Sequence, residues 1–140
     1  VNEILYNCHD YEMCLVVGDG IYPAKRISFK TYMEYYNTTV EGVSQMLNDS
    51  FAEITKKILR GEKGFRALYT SGGDITVAVC RKLKVSGIKL VEDVAPLAAH
   101  GELMTGEFNG LKIITKGGMV GDRYALRACM NYLNRKINNN

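Results

Sequence analysis

The residues able to do chemistry cluster in two runs, Ser71-Gly72-Gly73-Asp74 and Lys116-Gly117-Gly118-Met119-Val120-Gly121-Asp122. Glycine lets a backbone approach an anion closely, and the first turn of a helix offers unbonded N–H groups at the positive end of its dipole. Each run follows a short apolar stretch, Leu68-Tyr69-Thr70 before the first and Ile113-Ile114-Thr115 before the second, and each precedes a helical pattern. Strand, glycine turn and helix start form an arrangement that holds phosphate. Two of them in one chain point to a bound nucleotide.

Two readings stand side by side for Asp74. As an N-cap it accepts a backbone hydrogen bond at a position where aspartate is favoured. Near a phosphate it binds Mg²⁺ or a metal-bound water, and it needs that metal because a bare carboxylate repels a polyphosphate. Lys116 is either a solvated lysine at a strand end or a point charge that neutralises phosphate oxygens. Gly117, Gly118 and Gly121 are more glycines than a simple turn requires, and Asp122 reads as the cap of the last helix. His100 is expected in a loop with Pro96 and has no partner at a fixed spacing, so it reads as a polar loop residue rather than an acid or base. Cys8-His9-Asp10 is read as structural, because neighbours alternate in direction along an extended chain and no second ligand pair follows.

The elements that position these residues alternate between strand and helix. Residues 13–17 form an apolar run that reads as a strand ending at Gly18-Asp19-Gly20. Residues 20–37 read as irregular, with room for a short helix. A long helix is expected from Thr38, where Thr38 and Glu41 make a capping box, with Val40, Val43, Leu47, Phe51, Ile54 and Ile58 forming an apolar stripe against a sheet. It ends at Gly61 and Gly64. Residues 65–70 read as a strand, 75–84 as a helix, 88–94 as extended and 96–101 as a loop. Asn109-Gly110 signals a two-residue type I′ turn between strands at 103–108 and 111–115. A last helix starts near Arg123 with Leu126, Met130, Leu133 and Ile137 on one face, and frays into residues 138–140. The class is α/β: a mixed, partly parallel sheet flanked by helices, with an antiparallel hairpin near the C-terminus.

The 140 residues fit one domain, residues 1–140, which is small for an enzyme that grips two substrates. The chain starts at Val1, with no charged-then-apolar leader and no long apolar stretch, and so reads as a trimmed piece of a larger protein rather than a secreted or membrane chain. Net charge is +3, but the basic residues are scattered among acids, which argues against nucleic acid. Cys8, Cys14, Cys80 and Cys129 form no CxxC pair. They read as reduced thiols of a cytoplasmic protein.

Taken together, the motifs resemble those of the carboxy-terminal, nucleotide-binding domain of the four-carbon acid sugar kinases, formerly a domain of unknown function. That family's pattern is T-x-G-G-D-T-A, then E-V-A-P-G-x-P, then a hairpin into T-K-x-G-G-F-G-D. It is met by Thr70 to Asp74, by Asp93-Val94-Ala95-Pro96, and by Thr115-Lys116-Gly117-Gly118 with Gly121-Asp122, in order, from about Val40 to the end of the chain. Departures are Ile75 and Thr76 for Thr-Ala, Leu97 for the glycine after the proline, and Met119-Val120 for Gly-Phe. A side chain at Met119 limits how closely the backbone approaches a ligand.

The resemblance implies a kinase that transfers the terminal phosphoryl group of ATP, with Mg²⁺, to a hydroxyl of a threonate, an erythronate or an oxo-tetronate. The nucleotide would lie on Ser71, Gly72, Gly73, Asp74, Lys116, Gly117, Gly118 and Gly121, with Asp74 as the metal contact, and the sugar acid on a separate amino-terminal domain absent from this chain. Alone, the chain is expected to be inactive. The departures leave an alternative, a noncatalytic nucleotide- or anion-binding regulatory module that kept the fold. The catalytic base and the oligomeric state stay open.

Overall fold

The computed structural model describes residues 1–138. Its centre is a four-stranded sheet in the order β1-β4-β3-β2, formed by β1 (Ala67–Ser71), β2 (Gly87–Ala95), β3 (Ala98–Met104) and β4 (Lys112–Lys116). β1 and β4 are parallel, with Leu68 opposite Ile113 and Ser71 opposite Lys116. The β4–β3 and β3–β2 pairs are antiparallel. Helices cover both faces, so the expected α/β class with a mixed, partly parallel sheet is the observed one.

The pleat explains the two cores. Successive side chains of a strand point to opposite faces, and the adjacent, fully buried Ile113 and Ile114 serve one face each. Ile113 and Leu103 meet Ala52 and Leu59 of α3 (Val40–Gly61) and Ala78, Val79 and Leu83 of α4 (Gly73–Leu83). Ile114 and Ala98 meet Cys129, Tyr132 and Leu133 of α5 (Ala125–Asn138). The four cysteines are all free. No described helix is long and apolar enough to cross a membrane.

Several local expectations change. The N-cap of α3 is Thr39 rather than Thr38: its hydroxyl accepts from the Gly42 N–H at 3.2 Å. Only part of the α3 stripe is covered, because Val40 and Leu47 stay exposed while Val43 and Ile58 are buried. Residues 13–17 belong to no strand, since no neighbouring strand offers them a ladder. A short helix, α2 (Phe29–Tyr36), does stand within the stretch read as irregular, after α1 (Asn2–Asn7) and single 3₁₀ turns at Cys8–Asp10, Asp19–Ile21 and Pro23–Lys25.

The hairpin near the C-terminus is present but its turn is not the two-residue one. Asn109 turns its side chain to accept from the Thr105 N–H at 2.7 Å, and only Gly110 of the pair has positive φ, so residues 105–111 form a longer connection. The tight turn lies instead at Pro96–Leu97, between β2 and β3. The expected fraying of α5 does not begin at Asn138, which is still helical, and residues 139 and 140 lie outside those described.

Candidate functional site

The two glycine runs meet at the carboxyl ends of the parallel pair β1 and β4, the end of an α/β sheet where ligands sit. The Gly72 N–H donates to the Lys116 carbonyl at 2.9 Å, which ties one corner to the other. A Cβ on Gly118 would stand 3.4 Å from the Gly72 Cα, in van der Waals contact, so the two corners lie against each other backbone to backbone. Gly72 takes φ of 103°, a conformation side chains rarely adopt, and it turns the chain straight from β1 into α4. α4 therefore begins at Gly73, two residues before the expected start. No side chain caps it, which leaves its first N–H groups directed at the corner.

Asp74 is thus not the N-cap. It is the second residue of the helix, exposed, and its charge complements the helix dipole beside the corner. Asp122 is not the N-cap of α5 either: α5 starts at Ala125, and the Asp122 carboxylate accepts from the Tyr124 N–H at 2.8 Å in the turn that leads into it. Lys116 is half-buried, and its ammonium donates to the Gly117 carbonyl at 2.8 Å. Its stem passes Gly121, where an added Cβ would stand 3.3 Å from the Lys116 Cε. A cleft of about 340 Å³ opens between Gly73, Thr76, Asp93, Leu97, Lys116 and Gly117.

Two contributors escaped the sequence reading. The Thr76 hydroxyl donates back to the Gly72 carbonyl at 2.9 Å and lies 2.9 Å from the Thr70 hydroxyl, which buttresses the first corner from beneath. Its signal was the spacing, since a threonine one helical turn past a glycine faces back toward that glycine's carbonyl. The Pro96–Leu97 turn forms a third wall: the Leu97 carbonyl accepts from the Gly117 N–H at 2.9 Å.

His100 is not a loop residue. It lies on β3, 2% exposed, on the face toward α5. Its Nδ1 is 2.9 Å from the Tyr132 hydroxyl, which donates to the Glu92 carboxylate, and Lys136 reaches that same carboxylate at 2.5 Å. Since the hydroxyl hydrogen is committed to Glu92, Nδ1 carries the imidazole proton and Nε2 holds a buried lone pair without a partner. Burial, aided by Lys112 and Lys136, pushes the His100 pKa down against the opposite pull of Glu102 and Glu92. A neutral histidine turned away from the corners is a structural member. Cys8 and His9 also lie away from the corners, on helical rather than extended chain, and they meet Glu62 instead of pairing with Asp10.

Residues 12–126 match the family described as the nucleotide-binding C-terminal domain. The chain belongs to that family. It is 45% identical over 107 residues to a D-erythronate kinase of Heliobacterium modesticaldum, covering 74% of this chain and 24% of the relative. It is 28% identical over 91 residues to a D-threonate kinase of Salmonella typhimurium, covering 65% and 21%. The chain thus spans about a quarter of the length of the curated relatives it matches. Both are four-carbon acid sugar kinases, in agreement with the resemblance carried by the glycine runs.

Among solved structures it is similar to a domain of unknown function from Bordetella bronchiseptica, crystallised with bound citrate as a domain-swapped dimer. One crystal form gives a TM-score of 0.51 at 31% identity over 63% of this chain and 21% of the other. A second gives 0.57 at 24% identity over 92% and 29%, a likeness of fold.

Two departures of this nucleotide-binding C-terminal domain from the family pattern fall on left-handed backbone. Leu97 has φ of 58° and Met119 φ of 54°, at positions where the pattern has glycine. Both side chains are exposed, Met119 completely. The backbone keeps the path a glycine would take, with a strain of about 1–2 kcal/mol at each residue.

Proposed function

We propose that this chain is the ATP-binding domain of a kinase that phosphorylates a hydroxyl of a four-carbon sugar acid such as erythronate, threonate or an oxo-tetronate. One observation carries the reading: two glycine corners are joined at the ends of parallel strands, with an uncapped helix N-terminus and a lysine facing the same place. That equipment fits a polyphosphate. When bound, Mg²⁺-ATP supplies the phosphoryl group for in-line transfer to the hydroxyl. Gly72, Gly73, Gly117 and Gly118 would leave room for the phosphates to reach the uncapped N–H groups at the start of α4, the Gly72 and Gly117 N–H groups being already bonded to carbonyls, and Ser71 and Gly121 would border them. Lys116 exchanges its Gly117 carbonyl for phosphate oxygens, and Asp74 holds the metal or a metal-bound water.

The kinase names of the two relatives support the reaction, and their greater length supports a further amino-terminal domain that carries the sugar acid. Residues 1–140 would form the nucleotide half, of little activity alone because one wall of the closing cleft is missing. Exposed Met13, Leu15, Val16 and Val17 support the same reading, since an apolar strip of that kind suits an interface with another domain. We place the protein in the cytoplasm on the strength of its free thiols. Assembly into dimers draws support only from the domain-swapped Bordetella protein.

Calorimetric titration with a nonhydrolysable ATP analogue and Mg²⁺ tests the reading. Saturable one-to-one binding is expected, weakened about tenfold by Lys116→Ala, the loss of one charged hydrogen bond worth about 1.5 kcal/mol. Equal affinity in that variant would remove Lys116 from the site. The second reading, a noncatalytic module, is favoured by the side chain at Met119. Phosphoryl transfer on supplying the amino-terminal half would exclude it.

A further inference from the structure

A second cluster of chemistry-bearing side chains lies where α1 meets the last turn of α3. Gly61 eases the meeting: a Cβ there would stand 2.6 Å from the Leu5 Cδ1, so any larger residue would make the Leu5 side chain shift. With α1 seated, the following 3₁₀ turn brings Cys8 and His9 to Glu62, the residue that ends α3. The Cys8 Sγ, a His9 ring nitrogen and a Glu62 carboxylate oxygen all lie within 4.8 Å of one another.

Neighbouring groups hold this set in place. The Gly64 N–H donates to Glu62 Oε1 at 2.6 Å, while Oε2 faces His9 Nε2 at 3.2 Å. Cys8 is buried, 7% exposed, its thiol 3.6 Å from the Leu5 carbonyl oxygen. The His9–Glu62 contact engages two of the three groups, and the Cys8 thiol, which donates to the Leu5 carbonyl, lies within reach of both. Cys14 is near enough that Cys8 acts electrostatically on its thiol, after burial the second cause of its raised pKa.

Thiolate, imidazole and carboxylate together are the donors of a borderline-soft ion and unlike the all-oxygen set that Mg²⁺ takes. Around tetrahedral zinc, with bonds of about 2.0–2.3 Å, ligand atoms stand roughly 3.3–3.8 Å apart. The 3.2 Å between His9 Nε2 and Glu62 Oε2 is already close to that spacing, and the three ligand atoms lie within 4.8 Å of one another. We propose that Cys8, His9 and Glu62 bind one thiophilic divalent ion of the Zn²⁺ class, with the fourth position open to water, and that the ion clasps the N-terminal segment to the end of α3. Cys8 and His9 precede the segment shared with the family and Glu62 lies within it, but none of the three belongs to the glycine corners, so the proposal does not rest on the function proposed for them.

The test uses the 140-residue chain, freed of metal and kept reduced with a non-thiol reductant, titrated with Co²⁺ and then displaced with Zn²⁺. One equivalent of Co²⁺ is expected to give tetrahedral d–d bands with a thiolate charge-transfer band. Cys8→Ser abolishes the charge-transfer band. His9→Gln, at an exposed position with no packing role, lowers Zn²⁺ affinity beyond the 10–100-fold typical of outer-shell partners. Zn²⁺ also raises the thermal midpoint of the parent chain and not of His9→Gln. An octahedral, thiolate-free cobalt spectrum, or a charge-transfer band that survives Cys8→Ser, overturns the proposal. So does unchanged Zn²⁺ affinity in His9→Gln, which remains informative if Cys8→Ser fails to fold.

Discussion

Gly73→Val is expected to lower the affinity for a Mg²⁺–ATP analogue at least thirtyfold, about 2 kcal/mol, with little change in thermal midpoint. The reason is local. A Cβ at Gly73 meets nothing within 4 Å, and its φ is not in the left-handed region, so the folded chain accommodates the side chain. The added methyl groups would project into the space before the helix terminus, where a phosphate must come within hydrogen-bond distance of the backbone. Gly72→Val cannot serve, because φ of 103° there would strain the fold and blur the result. Calorimetry beside a melting curve separates the two effects. Undiminished binding by a folded Gly73→Val would place the nucleotide elsewhere.

Acid is expected to destabilise the domain through His100. Its folded-state pKa is depressed, so below the ordinary imidazole value near 6.5 the unfolded chain takes up a proton that the native chain refuses. Stability then falls as pH drops through 6.5, with a slope approaching about 1.4 kcal/mol per pH unit until the native-state pKa is reached. The buried Nε2 has no acceptor to receive that proton, and Lys112 and Lys136 oppose the charge. His100→Gln should flatten this slope in denaturant titrations across pH 5 to 7.5, a window chosen around the imidazole range. A slope equal to that of the parent chain would assign the acid sensitivity to other groups.

The corners and the helices behind them were legible because their signals are local. Glycines after an apolar run, and apolar residues three and four apart, need no distant partner to be understood. What failed depended on partners far along the chain. Residues 13–17 have a strand's composition but no strand beside them, and a ladder takes two. Asn109-Gly110 lost its tight turn once the Asn109 side chain bonded Thr105, while the real tight turn used a leucine in a left-handed conformation that composition would not select. His100 was misplaced for the same reason, since that turn lets β3 begin at Ala98. The approach of Cys8 and His9 to Glu62 bridges more than fifty residues and leaves no trace in spacing.

The missing cap on α4 has a consequence for how the domain reports its ligand. A helix that starts without a side-chain acceptor forgoes about 1 kcal/mol and leaves its first amides to water. An anion seated there becomes the cap that the sequence withholds. Occupancy should therefore be visible as slowed hydrogen exchange at the Gly73, Asp74 and Ile75 amides, while Thr76, already bonded to the Gly72 carbonyl, changes less. The first turn of α4 is in that sense a gauge, its amides read out one by one as the site fills.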